Sequence, residues 1–262
     1  MKGSRSLPLL ALGMTLARRG ILPVASIVIC IITALGLSVV AVMLASRGPR
    51  APAHDVPLLA SSALAWGGGF LLAFSAAAHA LRRDRTDGIR GLFVTRTTSL
   101  RGYLLGRVGG LAVLIALLVA AGTLICGLAA TAAASRAASV LRILQATGAG
   151  IVFAIAFGAV VAPVAFAALG ARSRIGGYVF LICVVTLPEL LVLGLGSALP
   201  ESIADVLSIP SALNALRSSL APGTEDLYRA ARAIVALTLV VGLATMFVRR
   251  DAILVEQPEE GA

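Results

Sequence analysis

Charged residues are scarce in this sequence. Only 13% of the 262 residues are charged, whereas 59% are hydrophobic and the mean hydropathy is +0.99. A water-soluble domain with so little charge would expose large apolar patches, and such patches drive association between molecules. The composition therefore excludes a soluble protein and predicts an integral membrane protein.

Lysine is nearly absent. Lys2 is the single lysine, beside 21 arginines. A nucleotide-binding P-loop needs a lysine to hold the β- and γ-phosphates of the nucleotide. We therefore predict that this chain does not hydrolyse ATP through a Walker A site of its own, and we expect no cofactor within it.

Cysteine and histidine are too few for a metal site. Cys30, Cys126 and Cys183 lie in separate apolar stretches and share no ligand spacing. His54 lies in a short loop with no second histidine or cysteine near it. Zinc sites need three or four such ligands together, so we predict no metal centre.

Acidic residues are also too sparse for an enzyme buried in the membrane. Such an enzyme would bring several acids, histidines or serines to one membrane depth, whereas Glu189 is the only acid deep in an apolar stretch. Asp84-x-x-Asp87-Gly88 begins like the metal motif of CDP-alcohol-type lipid-headgroup transferases. The later aspartates of that motif are missing, since the next aspartate is Asp205. We therefore predict a protein that is not an enzyme.

Six apolar stretches are long enough to cross a membrane as helices. A helical span needs about 20 residues to cross roughly 30 Å of hydrocarbon. No segment alternates as barrel strands do. We therefore predict an all-α membrane domain over residues 21–248. Its spans are placed near residues 21–46, 58–81, 104–134, 143–169, 177–199 and 228–248.

Three further segments complete the predicted organisation. Residues 1–20 contain a short apolar run between Arg5 and Arg18, which favours an amphipathic helix at the membrane interface. Residues 200–224 are too polar to cross and are predicted to form interfacial or re-entrant outer helices before the sixth span. Residues 249–262 are predicted to be a cytoplasmic tail.

The basic residues cluster at the ends of the predicted spans. With both termini inside, 15 of them fall on the inner side and 7 on the outer side. The positive-inside rule therefore places both termini in the cytoplasm. This distribution argues against nucleic acid as a partner and predicts contact with anionic membrane lipids. The preference for arginine over lysine is typical of a GC-rich bacterial genome, so we expect a bacterial inner membrane.

The longest polar interruption runs from Leu81 to Arg107 and holds seven arginines. Asp84 and Asp87 begin a run whose apolar residues fall at helical spacing, which predicts a short amphipathic helix over about residues 84–96. A short helix on the membrane surface between two spans is better suited to contact with a soluble partner than to chemistry.

Glycines interrupt two of the predicted spans. Gly67, Gly68 and Gly69 follow one another in the second span, and each costs about 1 kcal/mol in a soluble helix. Membrane helices tolerate glycine where another backbone comes close or where the helix bends. Close packing is one explanation, and a flexible wall of a transport pathway is the other. In the third span, Gly106 and Gly110 have the spacing that lets two helices approach.

A proline and an acid stand together near the middle of the fifth span. An unpaired charge in hydrocarbon costs several kcal/mol, so Glu189 is protonated, paired or facing water. Pro188 and Glu189 are therefore candidates for a transport pathway. The alternative is that Glu189 is a structural partner for a neighbouring helix.

The order of these features resembles the permease subunits of ABC-2 type exporters. In that family the second span is followed by an opening rich in acid and arginine, a glycine, a leucine-rich turn, often a proline, and a segment that ends in Gly-Lys. The corresponding residues here look like Arg83-Asp84-Arg85, Gly88, Leu92-Phe93-Val94, Thr95-Arg96 and Gly106-Arg107. Aspartate replaces the usual glutamate, Ile89-Arg90-Gly91 replaces Thr-Leu-Glu, and no proline is present.

The resemblance implies a partner as well as a fold. In that family the short helix, called the coupling helix, docks on a separate ATPase subunit that binds ATP and Mg. Two permeases with two ATPases form the working unit, and the cargo passes between the permeases. By the resemblance, contact with the ATPase would be made by Asp84, Arg85, Asp87, Gly88, Arg90, Leu92 and Phe93, with Leu92 and Phe93 as apolar anchors.

Two other classes stay open from the sequence. A non-transporting scaffold or assembly factor with six spans would lack an ATPase partner. A membrane-embedded enzyme would need more polar residues at one depth than this chain offers. The predicted pathway is lined by alanine and leucine, so lipid, polysaccharide, peptide, drug and a factor for metalloenzyme maturation are all compatible as cargo.

Overall fold

The computed structural model describes residues 6–47, 53–88, 100–134, 137–170, 174–195, 198–223 and 226–254. Over these residues the chain is helical and contains no strand. Six of the described helical stretches are long and apolar enough to cross a membrane. The predicted all-α class with six spans is thereby confirmed. The six stretches are Ile21–Ser46, Asp55–Thr86, Gly102–Ala133, Ser139–Leu169, Ile175–Leu195 and Leu227–Ala252.

Short helices surround the spans, and two spans are divided. The second span contains α3, α4 and α5, and the fifth contains α8 and α9. In chain order the helices are α1 (Ser6–Ala17), α2 (Ile21–Ser46), α3 (Asp55–Leu64), α4 (Phe70–Ala77), α5 (Ala80–Thr86), α6 (Leu100–Ala133), α7 (Ala137–Leu169), α8 (Arg174–Leu181), α9 (Leu187–Leu195), α10 (Glu201–Leu207), α11 (Ile209–Ser219) and α12 (Leu227–Leu254).

Successive spans run in opposite directions, so the bundle has two distinct ends. At one end, the backbone N–H of His79 donates to the carbonyl of Leu169, which joins the second and fourth spans beside α5. At the other end, the Arg217 guanidinium on α11 donates to the Leu58 carbonyl at the start of the second span. We call these the α5 end and the α11 end. The predicted orientation makes the α5 end cytoplasmic.

The fourth span forms the centre of the bundle. In its most apolar window 72% of the residues are buried, against 17% in the first span and none in the fifth. Phe153, Phe157 and Phe166 are fully buried along its length. The third and fourth spans pack together most extensively, and the first and fifth spans lie at the periphery. The exposed apolar faces of the peripheral spans are those expected to meet lipid.

Both divided spans contain a π-helical segment. Ala65–Gly69 separates α3 from α4, and Ile182–Thr186 separates α8 from α9. A π-helical segment carries one extra residue per turn and often lies at a functional position. The first contains the three consecutive glycines, and the second comes just before Pro188 and Glu189. The second span therefore changes geometry at the glycines that the sequence identified, and the fifth changes geometry just before its proline and acid.

The predicted flanking helices are present with shifted bounds. The N-terminal helix α1 has no charged residue within it and packs against the third span. Its position along a membrane surface stays a prediction. The segment predicted at 200–224 forms α10 and α11, and Ser208 caps the second of them by accepting a hydrogen bond from the Ser211 backbone N–H at 3.0 Å.

Candidate functional site

The second span turns sharply before it reaches the predicted coupling segment. His79 has a φ of 54°, a left-handed conformation that is rare for a residue with a side chain. The turn is held from outside, because His79 and Leu81 donate backbone hydrogen bonds to the carbonyls of Leu169 and Gly170 at 3.0 and 3.2 Å. These carbonyls, at the end of the fourth span, would otherwise lack helical partners. The turn therefore fixes the direction in which α5 leaves the bundle.

A buried ion pair joins α5 to the third span. Asp84 is 1% exposed and Arg107 is 5% exposed. Arg107 Nε donates to Asp84 Oδ2 at 2.8 Å and Arg107 Nη2 to Asp84 Oδ1 at 3.3 Å. The Tyr103 hydroxyl donates to Asp84 Oδ2 at 2.5 Å. We call Asp84, Tyr103 and Arg107 the Asp84 clamp.

The clamp joins the two ends of the connection between the second and third spans. A bidentate arginine–carboxylate pair fixes the relative orientation of the two side chains as well as the distance between them. Tyr103 and Arg107 lie one turn apart on the third span, so both reach the same carboxylate. The two helices on either side of the predicted coupling segment are therefore held together by side chains that face the protein interior.

The residues predicted to contact an ATPase are divided by this arrangement. Arg85, Asp87 and Gly88 are exposed at the end of α5. Asp84 instead faces the interior, where its carboxylate binds the third span. Arg90, Leu92 and Phe93 lie outside the described residues, as does most of the predicted helix over residues 84–96.

The start of that predicted helix differs from the structure. Asp84 lies within α5, which begins at Ala80 and ends at Thr86. The helix stops because Gly88 has a φ of 66°, the left-handed conformation that commonly ends helices. The two acids that were predicted to begin a helix therefore stand at the end of one.

The N-terminal helix α1 lies directly beside the Asp84 clamp. A Cβ atom added to Gly13 would lie 2.0 Å from the Gly106 carbonyl oxygen, and one added to Gly110 would lie 2.7 Å from the Gly13 backbone. Only glycine permits this contact between two helix backbones. Gly106 immediately precedes Arg107, so α1 contacts the same turn of the third span that holds Asp84.

The consecutive glycines of the second span have different surroundings. A Cβ on Gly68 would lie 2.2 Å from the Cys30 sulfur of the first span. A Cβ on Gly69 would lie 3.4 Å from Phe157 of the fourth span. Gly67 has no neighbour within 4 Å and is exposed. Close packing therefore explains Gly68 and Gly69. It does not explain Gly67, for which a flexible pathway wall stays a prediction.

Glu189 binds a neighbouring helix at the α11 end. The hydroxyls of Ser208 and Ser211 both donate to Glu189 Oε2, the second at 3.0 Å. These serines belong to the first turn of α11, where a carboxylate is favoured by the helix dipole. The carboxylate is half-buried and connects the fifth span to α11. Of the two roles considered for Glu189, the structural one is realised in these contacts, and a role in transport stays a prediction.

A polar cavity of about 260 Å³ lies beside these contacts. Asp205 on α10 accepts a hydrogen bond from the Arg229 guanidinium at 2.6 Å, and both residues line the cavity. Arg217 also lines it, and its guanidinium donates to Asn214 Oδ1 at 2.8 Å. Burial lowers the pKa of Arg217. An arginine stays protonated at neutral pH even so, and Arg217 contributes a positive charge to the cavity.

Sequence reasoning missed the partners of both buried acids. It quoted Arg107 only as part of the Gly106-Arg107 motif, and it named neither Tyr103 nor Arg229 as the partner of an acid. A signal was present for Arg107, because it is a charged residue just inside a long apolar helix and so requires a partner. Asp84 and Asp87, just after the preceding predicted span, were the nearest acids along the chain.

No protein-family model matches this chain, and neither does any curated protein. The resemblance to ABC-2 permeases therefore stays a prediction from the sequence.

Proposed function

We propose that this chain is the membrane subunit of an ATP-driven exporter of the ABC-2 type, and that a separate ATPase subunit drives it. The working unit contains two permeases and two ATPases. The chain itself holds no nucleotide, and ATP with Mg is bound by the partner. In this proposal it resides in a bacterial inner membrane with both termini in the cytoplasm.

The Asp84 clamp is the observation that best supports this proposal. A subunit driven from outside must pass a displacement of its docking segment to its spans. The docking segment predicted at residues 84–96 begins within α5, whose Asp84 is bound to Arg107 at 2.8 Å on the next span. A flexible connection at this point would take up a displacement without passing it on, whereas two helices joined by a buried ion pair move together. A push on the segment would therefore reach the second and third spans together.

Two further contacts between helices would pass this movement on to the rest of the bundle. The third span contacts α1 through Gly13 and Gly106, so α1 would follow the third span. The fifth span is bound to α11 through Glu189, so a displacement of the fifth span would carry α11 with it. Closure of the two ATPases on ATP would bias a two-state equilibrium of such connected elements towards an outward-open pathway.

Copurification tests the proposal. The tagged chain would be purified from its native host in mild detergent, and we expect it to bring with it a nucleotide-binding subunit and ATP hydrolysis. Replacement of Leu92 and Phe93 by aspartate should abolish recovery of that subunit, because charged side chains cannot enter an apolar cleft without a large desolvation cost.

Leu207→Asp provides the matched control for this experiment. Leu207 is 41% exposed on α10, at the opposite end of the bundle. The same change of leucine to aspartate there should leave the ATPase in place. Recovery of the parent chain without any ATPase would instead favour the six-span scaffold, and full recovery with the double variant would contradict the assigned docking segment.

A further inference from the structure

An apolar groove of about 400 Å³ opens at the α5 end between the third, fourth and sixth spans. Leu105 and Met246 on its two sides are 70% and 71% exposed, so the groove opens towards the lipid-facing surface. Among the described residues that line it, Arg249 is the single charged one. The groove is therefore apolar along its walls and carries one guanidinium at its open end.

The length of the groove follows from the helices that form it. On the sixth span its lining runs from Arg249 to Val241, and on the third span from Leu104 to Ala112. Each of these stretches covers about 12 Å at a rise of 1.5 Å per residue. The guanidinium thus lies where headgroups would be, and the apolar walls extend into the depth of the hydrocarbon.

Arg249 is available to an outside ligand. It is exposed, and among the described residues it has no carboxylate partner. Arg107 and Arg229 are each bound to an aspartate instead. A guanidinium binds a phosphate group with two parallel hydrogen bonds. Basic residues between spans on the cytoplasmic side commonly bind anionic headgroups.

The chemistry of the lining points to the occupant. Apart from Thr245 and Arg249, the residues that line the groove are apolar. A hydrocarbon chain suits such walls, because it brings no polar group that would be left without a hydrogen-bond partner. An anionic group at the open end complements the charge of Arg249.

We propose that this groove binds an anionic phospholipid, with one acyl chain along the apolar walls and the phosphate at Arg249. The inference does not depend on the proposed transport function, because it requires only the described groove and a membrane around it. The lipid would fill the space between the third, fourth and sixth spans and would couple their packing to the lipid composition.

Native mass spectrometry of the full chain tests this site. The protein would be delipidated in detergent and offered equal amounts of phosphatidylglycerol and phosphatidylcholine with identical acyl chains. The parent should retain phosphatidylglycerol preferentially. Arg249→Ala should lower that preference about fivefold, the effect of one interfacial arginine on an anionic lipid. Arg250→Ala is the matched control, since Arg250 is also exposed but does not line the groove.

A second pair of variants tests the apolar part of the groove. Ala159 is exposed on its wall, so Ala159→Phe should fill the groove and reduce retention of both lipids. Ala25→Phe adds the same ring to an exposed position of the first span and should retain lipid as the parent does. Parental lipid preference in Arg249→Ala, or an equal loss in Arg250→Ala, would overturn the proposal. So would an Ala159→Phe variant that changes the oligomeric mass and leaves lipid retention unchanged, because the groove would then be a contact between copies.

Discussion

Asp84 is buried in a largely apolar chain because three hydrogen bonds from Tyr103 and Arg107 meet its two oxygens. The guanidinium of Arg107 is buried as well, so each charge depends on the other. Burying a charge without a partner costs far more than burying a pair. The contribution of either residue to stability is therefore best measured by removing one partner and then both.

Asp84→Ala should lower the free energy of unfolding by about 3–5 kcal/mol, because it leaves the Arg107 guanidinium buried without a carboxylate. The double variant Asp84→Ala with Arg107→Ala should lose clearly less than the sum of the two single losses. Denaturation of the purified chain in detergent measures all three variants.

Asp87→Ala serves as the control for the clamp. Asp87 is an exposed aspartate three residues further along, and its removal should change the free energy of unfolding by no more than about 0.5 kcal/mol. Additive losses in the double variant would mean that Asp84 and Arg107 do not stabilise one another.

The sequence identified Glu189 as an acid that needs a partner, but it did not identify Asp84 or Asp205 as buried and paired. Glu189 was recognised because an acid within a span must be paired, protonated or hydrated. Its serine partners were not predicted, since Ser208 and Ser211 come close only after the chain has turned back through α10. Hydrophobic patterning is a property of one segment, whereas these hydrogen bonds depend on how separate segments pack.

Helix α1 contacts the third span through its backbone as well as through side chains. Gly13 meets Gly106 and Gly110 of the third span at distances that leave no room for a methyl group. Such close approach maximises van der Waals contact between helices within a membrane. Any side chain at Gly13 must therefore push α1 away from the turn that bears Arg107.

Gly13→Ala should lower the free energy of unfolding by about 1–3 kcal/mol, the usual cost of overpacking a tight contact. Gly36→Ala is the matched control, because Gly36 lies in the first span with no neighbour within 4 Å. There alanine should be neutral or stabilising by up to about 1 kcal/mol. Thermal unfolding in detergent compares the two, and equal effects would show that α1 does not depend on the glycine contact.

Span positions were predictable from the sequence, but the turn at His79 within the second span was not. Length and hydropathy placed all six spans, because crossing hydrocarbon requires a long uninterrupted apolar helix. The turn at His79 has no local signal, since the residues around it read as continuous helix. It exists because the fourth span ends beside it and accepts its backbone hydrogen bonds.

At the scale of the whole molecule, the two ends of the bundle carry different structural features. The α5 end carries the Asp84 clamp, the exposed end of α5 and the apolar groove. The α11 end carries the contacts of Glu189 and the polar cavity. The proposed mechanism assigns input of force to the first end and opening of the pathway to the second. This division requires that the α5 end, and not the α11 end, contacts a nucleotide-binding subunit.

Site-specific photo-crosslinking in living cells tests this requirement most directly. A photoreactive amino acid would replace Asp87, which is exposed at the α5 end, or Leu207, which is exposed at the α11 end. The account predicts a light-dependent adduct at position 87 with a protein that binds ATP, and none with such a protein at position 207. An adduct with an ATP-binding protein at position 207 alone, or at neither position, would contradict it.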